Sequence, residues 1–380
     1  MKFKVVNFLS PMKRSYLLVF SVITLASAMF YFMFLVAPIA SLCIAAIIPS
    51  AIFMKEFISR MSANNFEIKD LGNSNKDHIE FSKIVDEVID ESKAQNPNFL
   101  KNKKVKVHLV DDSKGNDIGD LILNSVLSYN VFAFDGFFKT KTIISSLSAY
   151  NVLKKDPNAL KAVVAHELKH LNANHVKIMS VFNAFTLAIF CLVTYAAFRN
   201  VNFLVRPLNI TFKYRKLAIV TAYFTKSFLD SGLSRMIEHD ADQHPVELGY
   251  AKEISRGVGK LTLLMTEAAK GKVIKNDNED EVLKNCKQQI SEDLVNNSKL
   301  TRPLSAFMDL FATHPSNRAR ALHNAYHEEQ VNLNKTDVSF ASSITQSVAH
   351  TAWSTIDSNL WTSKLGAEEF FKSDPQVNVI

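Results

Sequence analysis

The stretch HELKH, residues 166–170, decides how this chain is read. On a helix, positions four apart lie one above the other, so the rings of His166 and His170 can reach one metal ion together. Glu167 points slightly aside, where it can meet a water rather than the ion. A zinc ion makes such a water acidic, and a neighbouring carboxylate takes its proton during attack on a carbonyl. A catalytic zinc usually has three protein ligands and one open position, so this reading requires a third ligand elsewhere. The plain alternative is three polar residues on an ordinary helix.

The flanking sequence favours a helix. Asp156 can cap it and Pro157 suits its first turn. Leu160, Val163, Val164, Leu168 and Leu171 then fall on one side, predicting a helix that runs to about Asn174. Upstream, Ile79, Ile84, Val85, Val88 and Ile89 are spaced as on a helix, and Asn96–Pro97 breaks it. Val105, Val107 and Leu109 alternate as in a strand, and a second β-rich stretch covers 130–145. Strands therefore precede the HELKH helix.

A third ligand is available in SRMIEHDAD, residues 234–242. Glu238 and Asp242 are four apart, on one helical face. Glu238 is a candidate metal ligand, and Asp242 a candidate acceptor for an imidazole N–H. The alternative is a solvated acidic helix with a salt bridge to Arg235.

Composition and hydropathy point to a membrane. Hydrophobic residues make up 47% of the 380, and mean hydropathy is +0.02. Residues Ser15 to Met54 carry no charge, too long for one span of about 20 residues and right for two, with Pro38 at the hairpin. That length also argues against a signal peptide. Lys13, Arg14, Lys55 and Arg60 flank the hairpin on its cytoplasmic side by the positive-inside rule. A further uncharged run covers Ser180–Phe198. The next, Leu217–Leu229, is short and contains Lys226. Five basic residues between them oppose an external loop, so the sequence leaves open whether these two segments cross. The net charge of +7 fits an anionic membrane surface. With no basic cluster interleaved with aromatics, nucleic acid is not expected as a partner. Cys43, Cys191 and Cys286 form no CxxC pair, which argues against a disulfide framework or a cysteine-built zinc site.

HELKH followed by SRMIEHDAD, with an apolar hairpin in front and apolar segments between, resembles the HtpX-type membrane zinc metallopeptidases, relatives of the CAAX prenyl endopeptidases. The resemblance covers roughly residues 15 to 325. It implies one Zn2+ held by His166, His170 and Glu238, Glu167 as general base and Asp242 as the partner behind a ligand. NVFAF, residues 130–134, looks like the family's substrate-pairing edge strand, which implies substrate contacts at Asn130, Phe132 and Ala133. HPSNRAR, residues 314–320, looks like a further family segment and implies catalytic support from His314 and Arg320; a packing role for His314 is an equal alternative. Lys169 and Val131 depart from the family pattern, and the tail has no counterpart.

The expected fold is a mainly α membrane protein: an N-terminal transmembrane hairpin plus a zincin-like α+β catalytic domain with a small sheet. The expected divisions are 1–57 for the hairpin, 58–179 for the first catalytic part, 180–230 for membrane-associated segments, 231–330 for the second catalytic part and 331–380 for the tail. The resemblance implies a zinc endopeptidase in a bacterial inner membrane, its catalytic domain cytoplasmic and its substrates polypeptides, foremost misfolded membrane proteins. Three rivals stand beside it. One is a prenyl-protein endopeptidase, and another a non-catalytic membrane scaffold. The third is an intramembrane protease class that pairs HExxH with an aspartate such as Asp230 of FLDSGL.

Overall fold

The computed structural model describes residues 11–36, 38–53, 70–72, 74–101, 103–112, 129–135, 141–199, 215–269 and 281. Its described part is mostly helical with one small mixed sheet. Two apolar helices open it, α1 (Pro11–Val36) and α2 (Pro38–Ala45), separated where Pro38 was expected to break the run. Then come α3 (Lys76–Gln95), β1 (Val105–Val110), β2 (Val131–Asp135), β3 (Lys141–Ser146) and α4 (Leu147–Leu153). The remaining elements are α5 (Pro157–Asn172), α6 (His175–Arg199), α7 (Arg215–Glu247) and α8 (Ala251–Ala269).

The sheet order is β1-β3-β2. β1 runs parallel to β3 and β2 antiparallel to it, with Ala133 opposite Ile143. Among the described residues β2 is thus an edge strand. Asn130 and Ser146 already pair on the β3 side, the Ser146 N–H donating to the Asn130 carbonyl at 3.0 Å. Antiparallel pairs alternate between hydrogen-bonded and non-hydrogen-bonded, so this pairing turns the main-chain groups of Val131, Ala133 and Asp135 to the side of β2 away from β3.

α5 carries HELKH and is the central helix. Asp156 caps it, accepting from the Ala159 N–H at 3.2 Å, and Pro157 occupies its first turn. Its small and branched residues let neighbours approach from every side: Ala159, Leu160, Ala162, Val164, Ala165, Leu168 and others are buried. It joins a core with Phe81, Val85 and Val88 of α3, Ile143 of β3, and Ile254, Leu261 and Leu264 of α8. Each large aliphatic side chain buried this way contributes about 1.5–3 kcal/mol. The tightest approach is at Gly257 of α8, where an added Cβ would lie 2.9 Å from Val163 Cγ2 and 3.2 Å from the Ala159 carbonyl oxygen.

α5 ends in a single sharp turn. Asn174 takes φ +56°, a left-handed conformation that asparagine tolerates, and α6 begins at the next residue. α6 and α7 then pack antiparallel. Phe182 shares a cluster with Leu233 and Ile237, Thr186 Oγ1 donates to Asp230 Oδ1 at 2.8 Å, and Phe190 lies against Tyr223. α1 packs against both through Val22. One continuous helix, α7, crosses the division drawn at 230/231, so the apolar segment 217–229 and the acidic motif 234–242 are a single rod. Lys226 does not interrupt it, because its ammonium pairs with Asp230 one turn on.

One described helix, His175–Tyr195, is long and apolar enough to cross a membrane, with a third of that window buried; Tyr16–Tyr31 and Ser41–Phe53 are shorter apolar stretches.

Candidate metal centre

The α6–α7 hairpin returns the chain to α5 and sets Glu238 beside the two histidines. His166 Nε2 and His170 Nε2 are 3.0 Å apart. Glu238 Oε2 lies 3.5 Å from the first, and Glu238 Oε1 lies 3.6 Å from the second. All three side chains are nearly buried, at 4%, 9% and 8% exposure. That burial rules out a solvated acidic helix at 234–242.

The donor set fits a metal ion in both spacing and charge. Tetrahedral ligands at ~2.0–2.1 Å from one ion lie about 3.3 Å from each other, close to these three separations. Four carboxylates, those of Glu167, Glu238, Asp240 and Asp242, are buried around the site. The Lys169 ammonium, 3.5 Å from Asp240 Oδ2, offsets one of them. Buried charge of one sign is costly unless compensated, and a dication supplies that compensation. Two histidines and a carboxylate are a donor set suited to zinc.

Behind each imidazole stands a further group. His166 Nδ1 is 2.8 Å from Asp242 Oδ1, and Asp242 is fully buried. His170 Nδ1 is 2.9 Å from His175 Nδ1, and His175 Nε2 faces Asp240 Oδ2 at 3.2 Å. Burial pushes the Asp240 carboxyl up, but the contacts with His175 and Lys169 outweigh it and hold the group below the ordinary range.

Glu167 spans the gap between the histidines and the sheet. Its Oε1 is 3.9 Å from His166 Nε2, and its Oε2 accepts the Ala133 N–H at 2.7 Å. The edge of β2 away from β3 therefore borders the site. Of the other strand residues, Phe132 is partly buried against Val110 and Ile144. The main chain of Asn130 is engaged on the β3 side, its N–H donating to Ser146 Oγ at 3.2 Å. His314 and Arg320 lie outside the described residues.

A second contact fixes the sheet to α5. The buried Lys141 ammonium donates to Asp135 Oδ2 and to Asn174 Oδ1, each at 3.1 Å, and to the Leu171 carbonyl. Burial pushes Lys141 down, and the Asp135 carboxylate opposes that shift. The clamp joins the Asp135–Lys141 end of the β2–β3 pair to the last turn of α5, where a cation also meets the negative end of the helix.

Sequence reasoning passed over Lys141, His175 and Asp240. His175 follows HELKH by five residues and Asp240 lies between Glu238 and Asp242, so both stood within the motifs. Nothing local marks Lys141. Asp230, the aspartate of the intramembrane alternative, is occupied by Lys226 and Thr186 two turns before Glu238. Comparison with known proteins adds a family: the model for peptidase family M48 matches residues 80–326. No curated protein and no solved structure gives a significant match. The matched segment covers well over half of the chain and holds the whole of this site, so the chain belongs to peptidase family M48, metal-dependent peptidases that include the HtpX and CAAX-type relatives.

Proposed function

We propose that this protein is a membrane-anchored, zinc-dependent endopeptidase that cuts polypeptides, membrane proteins foremost among them. The observation that carries the reading is the convergence of His166, His170 and Glu238 next to a carboxylate that touches the edge of β2 away from β3. Zinc held by those three residues supplies Lewis acidity, polarising a scissile carbonyl and acidifying a water.

The chain's own groups do the rest. An extended peptide pairs with that edge of β2 through the main chain of Val131 and Ala133, while Phe132 and Asn130 shape its surroundings. Glu167 takes the proton of the attacking water and returns it to the leaving amine. Asp242 holds His166 in one tautomer by accepting its Nδ1–H. His314 and Arg320 keep the roles the resemblance implies, steadying the negative charge that develops on the carbonyl oxygen.

A membrane anchor is supported by α6 and by apolar surface left uncovered on its neighbours. Phe20, Leu25, Tyr31 and Leu35 of α1 and Leu217, Tyr223 and Phe228 of α7 are all exposed. Exposed apolar side chains in that number fit contact with lipid. The resemblance adds a bacterial inner membrane, an N-terminal hairpin, a cytoplasmic catalytic domain and a part in membrane protein quality control.

The test is cleavage of casein by detergent-purified wild type and Glu167→Gln, each stripped of metal and resupplied with zinc. Zinc-dependent cutting by wild type alone supports the reading. Equal cutting by both proteins removes it.

A further inference from the structure

We infer that His175 and Asp240 form a positioning relay that fixes the tautomer and orientation of His170 as a metal ligand. The inference rests on the metal-site reading above and assigns a role to two residues outside its ligand set.

The atoms themselves order the relay. His170 Nε2 is the nitrogen that faces His166 and Glu238, so it must present a lone pair to the ion. A neutral imidazole then carries its proton on Nδ1. That nitrogen is 2.9 Å from His175 Nδ1, which can only be the acceptor. The proton of His175 is thereby placed on Nε2, 3.2 Å from Asp240 Oδ2. His175 is thus not a fourth ligand: the nitrogen nearest the site is spent on His170. The two rings meet nearly edge to face, at 77°, which holds the plane of His170 as well as its proton.

Burial makes these contacts costly to lose. His175 is 1% exposed and Asp240 2%. Among the described residues, neither His175 Nε2 nor Asp240 Oδ2 makes a hydrogen bond of good geometry; each has the other as its near polar neighbour at 3.2 Å, with the Lys169 ammonium 3.5 Å from the same oxygen. A buried polar atom left unsatisfied is unfavourable, so the positions of the two side chains depend on each other. Lys169 completes the chain at 3.5 Å from Asp240, balancing its charge. The arrangement parallels the Asp242 contact on His166, with one extra ring inserted between ligand and carboxylate.

The test measures zinc affinity by chelator competition, using the full-length protein in detergent on a Glu167→Gln background to prevent self-cleavage. His175→Phe keeps a ring but no acceptor and should weaken zinc binding about 10- to 100-fold. His175→Gln offers an amide oxygen to His170 and an N–H to Asp240, and should recover most of the loss. Asp240→Asn should weaken binding in the same direction. With Co2+ in place of zinc, the visible spectrum of His175→Phe should shift while that of His175→Gln stays near the parent. Affinity in His175→Phe within twofold of the parent overturns the relay, as does a His175→Gln variant no better than His175→Phe. Should His175→Phe fail to fold, unchanged affinity in Asp240→Asn overturns it by itself. A parent that binds no zinc overturns the metal-site reading, and the relay falls with it.

Discussion

The Ala133 N–H donates to Glu167 Oε2 across 2.7 Å, so the candidate base holds the same strand edge that an extended peptide would use. The two uses compete. A peptide carbonyl that takes the Ala133 N–H must first displace the carboxylate, and displacement frees Glu167 for proton transfer. A hydrogen bond to a charged group contributes roughly 1.5–3 kcal/mol. In the metal-free protein, where nothing is cut, Glu167→Ala should therefore bind unfolded casein about tenfold more tightly than wild type, read by fluorescence anisotropy. Equal affinities would mean that substrate docks away from this edge.

Glu238 is the candidate ligand that sequence distance makes least obvious, and its removal should be the most informative. Glu238→Gln should lower zinc affinity at least about 100-fold while leaving the helical circular dichroism unchanged. Ligand binding stabilises by mass action, about 2.7 kcal/mol at a hundredfold excess over Kd. Chelator should accordingly lower the Tm of wild type and leave that of Glu238→Gln nearly unmoved. A chelator-induced drop of equal size in both proteins would place the metal elsewhere.

Gly257 is a packing requirement rather than a flexible joint. Alanine in its place would gain up to ~1 kcal/mol in helix propensity, but its Cβ would meet Val163 Cγ2 at 2.9 Å. Overpacking of that kind costs about 1–3 kcal/mol. Gly257→Ala should lower Tm, and Val163→Ala in the same chain should restore part of the loss, beyond what additivity allows. A Gly257→Ala protein as stable as wild type would show that α8 stands further from α5.

Lys161 ties α5 to α3, with Nζ 3.0 Å from Glu91 and 3.1 Å from Glu87. The hydrogen bond with Glu91 pushes its pKa up, burial opposes this, and Glu87 adds to the rise. A raised lysine pKa gives stability that is fully present below its unfolded value of 10.5 and is lost as pH rises through the higher folded value. Because both glutamates are well exposed, the contribution should stay near or below ~1 kcal/mol. Lys161→Met should lower Tm slightly and by the same amount at about pH 6 and about pH 9, where all three groups keep their charge. A deficit that differs between those two pH values would show that another group governs this contact.

Much of the local structure was legible because its causes are local. The Asp156–Pro157 start of α5, the break after α3 and the alternation in β1 follow from neighbouring residues, and the structure places those elements as expected. The pairing of His166 with His170 is a property of helical spacing alone. Asp242 behind His166 was likewise foreseeable once Glu238 was chosen, since both lie on one face of α7.

The tertiary structure decided what those helices do together. No local signal brings Glu238 to within 3.6 Å of His170 across a gap of 68 residues; the antiparallel packing of α6 on α7 does so. The turn at Asn174 decides that α6 leaves α5 at an angle which puts His175 against His170. Lys141 resembled any strand lysine until its burial against Asp135, Asn174 and the end of α5 made it a clamp. Periodicity and capping act over a few residues and can be read along the chain. Compensation of buried charge is settled only when distant segments meet, and in this protein the site is where they meet.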